Sequence, residues 1–308
     1  MILQKLQKAE LIHPPKYLID NTMYLCQMGS VAYGVSGESS DIDVYGYCVP
    51  PKDLVFPHLA GVVSGFGTQI QRFDVWQQHH IKAPDSDKEY DFSVYSIVKY
   101  FDLCMQNNPN IVDSLFVPRR CILHSTEMHE MVRDKRHMFL HRGAFHKFKG
   151  YAYSQMSKIR DNARSSNPAR AADIEKFGYS TKFAYHLVRL ACEAEQILVE
   201  CDLDLERNRE QLKSIRRGEW KLEDIESWFA DKERHLEGLY ATSKLPERPD
   251  EEKIRQLLLD CLEHHYGSLS AVITRDKSVD ALVRELQGIL DRYSGPSASD
   301  APAAAAEV

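Results

Sequence analysis

No stretch of this chain approaches the ~20 consecutive apolar residues of a membrane-spanning helix. Its first residues, MILQKLQKAELIHPPKYL, lack the basic segment followed by a hydrophobic core that marks a secretory leader. Cysteine offers little: seven residues, an odd number, with no close pairs. That pattern argues against a disulfide framework and a four-cysteine zinc site, and for reduced, mostly buried thiols. The histidines at 124, 129, 137, 141 and 146 follow no zinc-ligand spacing, and no internal repeat is present. The expectation is a soluble cytoplasmic protein without membrane contact.

What is present suffices for a sizeable core. Of 308 residues, 43% are hydrophobic and 27% charged, enough for one large domain or two modest ones. The net charge of −6 is unevenly spread. Between Val117 and Arg189 stand 15 Lys/Arg against 6 Asp/Glu, a surplus of +9 that leaves −15 for the rest. A basic middle in an acidic chain reads either as helix faces that happen to be basic or as a surface that meets phosphates.

The most informative stretch runs from Leu25 to Gly46. Met23 to Met28 is a short, mostly apolar run ending at Gly29-Ser30, a buried strand breaking into a turn. Ser39-Ser40-Asp41-Ile42-Asp43-Val44-Tyr45-Gly46 follows. Strand alternation puts Asp41 and Asp43 on one face. Two neighbouring carboxylates repel, and a divalent cation removes that penalty, because Mg2+ prefers carboxylate oxygens. The turn offers backbone N–H groups and a hydroxyl to a phosphate. The alternative is a solvated turn at a strand end.

The string GSVAYGVSGESSDIDVYG resembles the signature of the DNA polymerase beta superfamily of nucleotidyltransferases, a Gly-Ser turn followed by Asp-x-Asp. It is similar to one branch, the predicted nucleotidyltransferases of RNA repair found near RNA ligases. The Asn-Asn-Pro-Asn turn at residues 107–110 resembles the same branch. The resemblance implies an α/β (α+β) fold, a mixed sheet with flanking helices and a helical C-terminal region. It implies two Mg2+ (or Mn2+) ions, an NTP substrate, and Gly29, Ser30 and Ser40 as nucleotide-binding residues.

Two-metal phosphoryl transfer needs a third carboxylate on a neighbouring strand. Residues 88–96 read as that strand, with Glu89, Asp91 and Ser93 on one face and Tyr90, Phe92 and Val94 on the other. Asp91 is the choice, and it also matches the superfamily's position ahead of a helix opening with Tyr-Ser. Asp74 and Glu89 are the competitors. Asp41, Asp43 and Asp91 are therefore the candidate catalytic and metal-binding residues.

Helices are expected over Ser96 to Met105, from Asn108-Pro109 onward with Asn as cap, over His124 to Leu140, and over Phe145 to Arg160. Residues 52–85 read as an insertion with β-type pieces from Thr68 to Trp76, and His79-His80 and Pro84 to Asp87 as surface loop. Asn162 to Ala172 reads as a loop. From Thr181 a helix presents Ala184, Leu187, Val188, Ala191, Ala194 and Leu198 on its apolar face. Lys182, His186, Arg189 and Glu193 form a second stripe. The superfamily resemblance implies that Lys182, His186 and Arg189 contact the triphosphate; a solvent-facing stripe has the same spacing. Helices are also expected over Leu222 to Tyr240, Pro249 to Tyr266 and Ser278 to Tyr293, with Trp220 and Trp228 as packing residues and a low-complexity tail beyond. The expected division is a catalytic domain over residues 1–145, a helical domain over 146–293 and a disordered tail over 294–308.

The expected reaction moves a nucleoside monophosphate from an NTP to a hydroxyl, with an RNA 3′ end as acceptor. A protein or small-molecule acceptor is the alternative, and a non-catalytic nucleotide- or RNA-binding module the alternative of another class.

Overall fold

The computed structural model describes residues 1–37, 41–56, 72–82, 89–161 and 168–268, with isolated positions 282, 285, 286, 289 and 290 beyond. Among the described residues five strands form one mixed sheet: β1 (Thr22–Gln27), β2 (Ile42–Cys48), β3 (Val75–Lys82), β4 (Glu89–Ser96) and β5 (Ile122–Ser125), in spatial order β3-β4-β2-β1-β5, with a one-turn α2 (Lys52–Val55) after β2. β2 and β4 pair in parallel, and the other pairs are antiparallel. The fold class expected from the sequence is the one observed.

Alternation along the strands gives the sheet two different faces. Val44, Cys48, Ile81, Phe92 and Val94 point to a small cluster closed by Leu3 and Leu6 of α1 (Ile2–Lys8) and by Ile12 and Leu18. Tyr24, Cys26 and Tyr47 point to the larger core. That core takes in α3 (Ile97–Met105), α4 (Pro109–Phe116), α5 (Glu127–Asp134), α6 (Ala144–Arg160) and α8 (Thr181–Glu200). It continues without a break through α9 (Arg209–Arg216), α10 (Leu222–Thr242) and α11 (Glu251–Tyr266). The hub is α8: its expected apolar face is buried, and its other buried positions, Arg189 and Glu193 among them, leave it almost surrounded. Among the described residues, no helix is long and apolar enough to cross a membrane.

Several expectations change. His79 and His80 are not surface loop but lie within β3, which among the described residues starts at Val75. The register of β3 on β4 breaks between Gln78 and Ile81, where His80 takes φ +56°. A bulge of this kind interrupts the period-2 pattern by which a strand is recognised. The single helix expected from His124 to Leu140 is instead β5, α5 and a 3-10 turn at Arg136–Phe139. Leu25↔His124 and Tyr24↔Ser125 pair across the sheet, so a tertiary partner overrides the helical spacing there. The expected loop is helical from its Pro168, as α7 (Pro168–Phe177). Asn108 occupies the N-cap of α4 but makes no capping bond, its amide donating instead to the Tyr151 hydroxyl. Trp220 and Trp228 pack edge to face at 6.2 Å. Expectations for Thr68, Pro84 to Asp87, residues 162–167, most of Ser278 to Tyr293 and the tail lie outside the described residues.

Candidate active site

β1 ends at Gln27, and the chain turns through a short 3-10 segment, Gly29–Val31. The Met28 amide donates to the Asp43 carbonyl at 2.7 Å, which ties this turn to the start of β2. Gly29 has φ +66°, and a Cβ built on it would lie 2.2 Å from Asp43 Oδ2. The position therefore requires glycine twice over, for backbone conformation and to leave room for a carboxylate.

In the parallel pair β2–β4, Asp43 stands directly beside Asp91. Both face the helical side of the sheet, as do Tyr45 and Tyr47 further along β2. Asp41 lies just ahead of β2 and is exposed. All three carboxylates line one cavity of about 670 Å³, together with Gly29 and Ser30 of the turn. The opposite wall comes from α8, with Lys182, His186 and Arg189, and from α9, with Arg216. The structure thus brings together every described residue that the sequence nominated; Ser40 lies outside the described residues. The competitor Asp74 is absent from the cavity lining, and Glu89 turns to the ring of His80, 3.0 Å away.

The charges divide the cavity. Asp43 has its carboxyl pushed up by burial first and by the neighbouring Asp91 second, with Lys182 pulling the other way. His186 is driven well below its ordinary value by burial and by Arg189, Lys182, Arg216 and Lys158, so it is neutral. An acidic floor therefore faces a cationic wall. The residues missed from sequence fill in the edges. The β3 bulge turns the His80 amide onto Asp91 Oδ1 at 2.8 Å and brings His79 Nδ1 to 3.5 Å from the same oxygen. Arg216 lies 5.3 Å from the Tyr185 ring centroid. Asp173 of α7 accepts from the Thr181 hydroxyl at 2.6 Å, at the first residue of α8. Arg216 and Asp173 sit outside any local motif; only the packing of α7 and α9 on α8 brings them in.

The donor set is suited to a hard divalent cation, since carboxylate oxygens are what Mg2+ prefers. The upward shift of Asp43 beside Asp91 marks a pair whose repulsion such a cation would relieve. Among the described residues, no three His, Cys, Asp or Glu side chains form a cage by themselves. Mg2+ commonly takes only one or two protein carboxylates, with phosphate and water oxygens completing its shell.

A mixed sheet with carboxylates on adjacent strands, a glycine-serine turn beside them and a cationic helix above is a nucleotidyltransferase-type arrangement. The family model RlaP, the RNA repair pathway DNA polymerase beta family, matches residues 2–260, and the chain belongs to that family. Membership implies a nucleotidyltransferase in an RNA repair pathway. No match to a curated protein is found. Matches among solved structures include a nucleotidyltransferase-like protein from Exiguobacterium sibiricum 255-15, 7% identical over 78% of this chain and 73% of that one, at a TM-score of 0.27. A superposition at that score adds no argument of its own.

Proposed function

We propose that this protein moves a nucleoside monophosphate from an NTP to a hydroxyl at an RNA 3′ end, releasing pyrophosphate. The observation that carries the reading is the split cavity: Asp41, Asp43 and Asp91 on the sheet opposite Lys182 and Arg216 on the helices. A metal-bound triphosphate carries both charges in that order, cation toward the carboxylates and phosphate oxygens toward the lysine and arginine.

Each residue has a task. The Gly29 amide and Ser30 hydroxyl hold phosphate oxygens at the turn. Lys182 acts as a point charge on the β- and γ-phosphates, and Arg216 as a fork across the cavity. Neutral His186 donates or accepts a hydrogen bond without adding charge. Asp41, Asp43 and Asp91 would hold divalent ions, which when bound supply charge neutralisation and lower the pKa of the incoming hydroxyl. The His80 amide fixes the orientation of Asp91. Catalysis on this plan is mainly positioning and electrostatic stabilisation.

The test is to incubate the protein with each labelled NTP and Mg2+ or Mn2+, adding total RNA in one arm and lysate protein in the other. Label in RNA is the expected result. Label in protein alone removes the RNA acceptor, and label in neither removes the transferase reading.

A further inference from the structure

Arg189 lines the cavity, yet one nitrogen of its guanidinium, Nη1, is already engaged, while its buried Nε has no partner among the described residues. Its Nη1 donates to Asp113 Oδ2 at 2.5 Å and to Glu193 Oε1 at 3.4 Å. The same Asp113 oxygen accepts the Tyr33 hydroxyl at 2.7 Å, and the guanidinium carbon lies 4.2 Å from the Tyr33 ring centroid. Arg189, Asp113 and Glu193 are 4%, 0% and 2% exposed. Two carboxylates around one arginine, all out of water, make a poor device for stability, because desolvation offsets most of the attraction. Its effect is better sought in what it holds.

What it holds is the turn. Ala32, Gly34 and Val35 amides return to the carbonyls of Gly29, Val31 and Ser30 at 3.1, 3.2 and 2.8 Å, so residues 29–35 form one compact unit. Tyr33 is its inner anchor. An outer anchor comes from Arg120, which donates to the Val31 carbonyl at 3.3 Å and to Glu206 at 2.8 Å. Both anchors thus depend on residues beyond 180, in the helical part of the chain.

We propose that Arg189 acts as a positioning residue: through Asp113 and the Tyr33 hydroxyl it fixes the Gly29–Ser30 turn, and so sets the affinity of that turn for a nucleotide's phosphates. This rests on the nucleotide-binding reading above. Arg189 then differs from Lys182 on the same helix, which has no ion-pair partner among the described residues and is exposed at the cavity. The helical region takes part in the phosphate site through the turn as well as through the wall.

A double-mutant cycle tests it. Wild type, Tyr33→Phe, Arg189→Lys and the double variant are titrated calorimetrically with each NTP in Mg2+, and thermal unfolding is recorded for each. Tyr33→Phe removes one buried hydroxyl and no phosphate contact, and should weaken binding about tenfold while unfolding within a few degrees of wild type. The double variant should bind about as weakly as the weaker single, since both cut one path. Multiplicative losses, or wild-type affinity in Tyr33→Phe, would overturn the proposal. Amide exchange at residues 30–35 in the nucleotide-free protein decides the anchor separately. Faster exchange in Tyr33→Phe supports it, and unchanged exchange rejects it even if wild type binds no NTP. That last finding alone would count against the functional reading.

Discussion

Gly29 and Asp43 constrain each other. The left-handed φ of Gly29 and the 2.2 Å approach of Asp43 Oδ2 to any added Cβ mean that a methyl group can be accommodated only by moving the carboxylate. Gly29→Ala is expected to lose about 1–2 kcal/mol in backbone strain and to lose nucleotidyl transfer with it, read by denaturant unfolding and label incorporation. The aspartates should behave oppositely in the two assays. Burial and Asp91 hold the Asp43 carboxyl up, so Asp43→Asn and Asp91→Asn each remove a repulsion. Both should melt no lower than wild type while transfer falls at least about a hundredfold. Parallel loss of melting temperature and activity would show that these carboxylates support the fold rather than the reaction. The pair was legible in sequence because strand alternation and Asp-x-Asp are local patterns. Their partner His80 was not, because a bulge shifts it out of the alternation that identifies a strand.

At the scale of elements, α8 shows both what periodicity reveals and where it stops. Spacing alone picks out Lys182, His186, Arg189 and Glu193 as one stripe, and the stripe exists. It does not show that the helix runs from solvent at Lys182 into the core at Arg189 and Glu193, since that depends on Asp113, 76 residues before Arg189. The same limit explains α5. Met128 and Val132 have helical spacing and are buried, but nothing local says that His124 and Ser125 belong to the sheet. α5 seats His129 against that sheet, stacked on Tyr24 at 3.5 Å with Nδ1 3.2 Å from the Tyr47 hydroxyl. Burial lowers its pKa from 6.5 to about 3. Above pH 6.5 the imidazole is neutral in both folded and unfolded chains, and its contribution is intact. As pH falls toward 3 only the unfolded chain takes up the proton, so stability declines. Between pH 6.5 and 5 this amounts to about 2 kcal/mol. Urea unfolding across that range should fall steadily for wild type and less steeply for His129→Phe; equal slopes would place a charged or solvated imidazole at this site.

For the molecule as a whole, the decisive quantity is how much of the basic segment remains available. Arg120 pairs with Glu206, Lys135 with Asp260, Lys149 with Glu233 and Glu237, and Arg160 with Glu226. Arg119 pairs with Glu130, and Arg133 donates to the carbonyls of Leu115 and Val117. The acidic later part of the chain thus packs against the basic middle, and four of its 15 cations, Arg120, Lys135, Lys149 and Arg160, are paired there. Lys182 and Arg216 line the cavity without a carboxylate partner among the described residues, and Lys158, one of the charges acting on His186, has its ammonium 5.6 Å from the Phe183 ring centroid. Single-stranded binding loses about 0.7 in log K per log unit of salt for each phosphate neutralised. Three cations give a slope of about −2 for an RNA strand, whereas engagement of the 15 Lys/Arg from Val117 to Arg189 would give about −10. A salt titration of RNA binding separates the two: a shallow slope assigns acceptor recognition to the cavity mouth and to the RNA end it admits, and a steep one requires the internal ion pairs to open on binding.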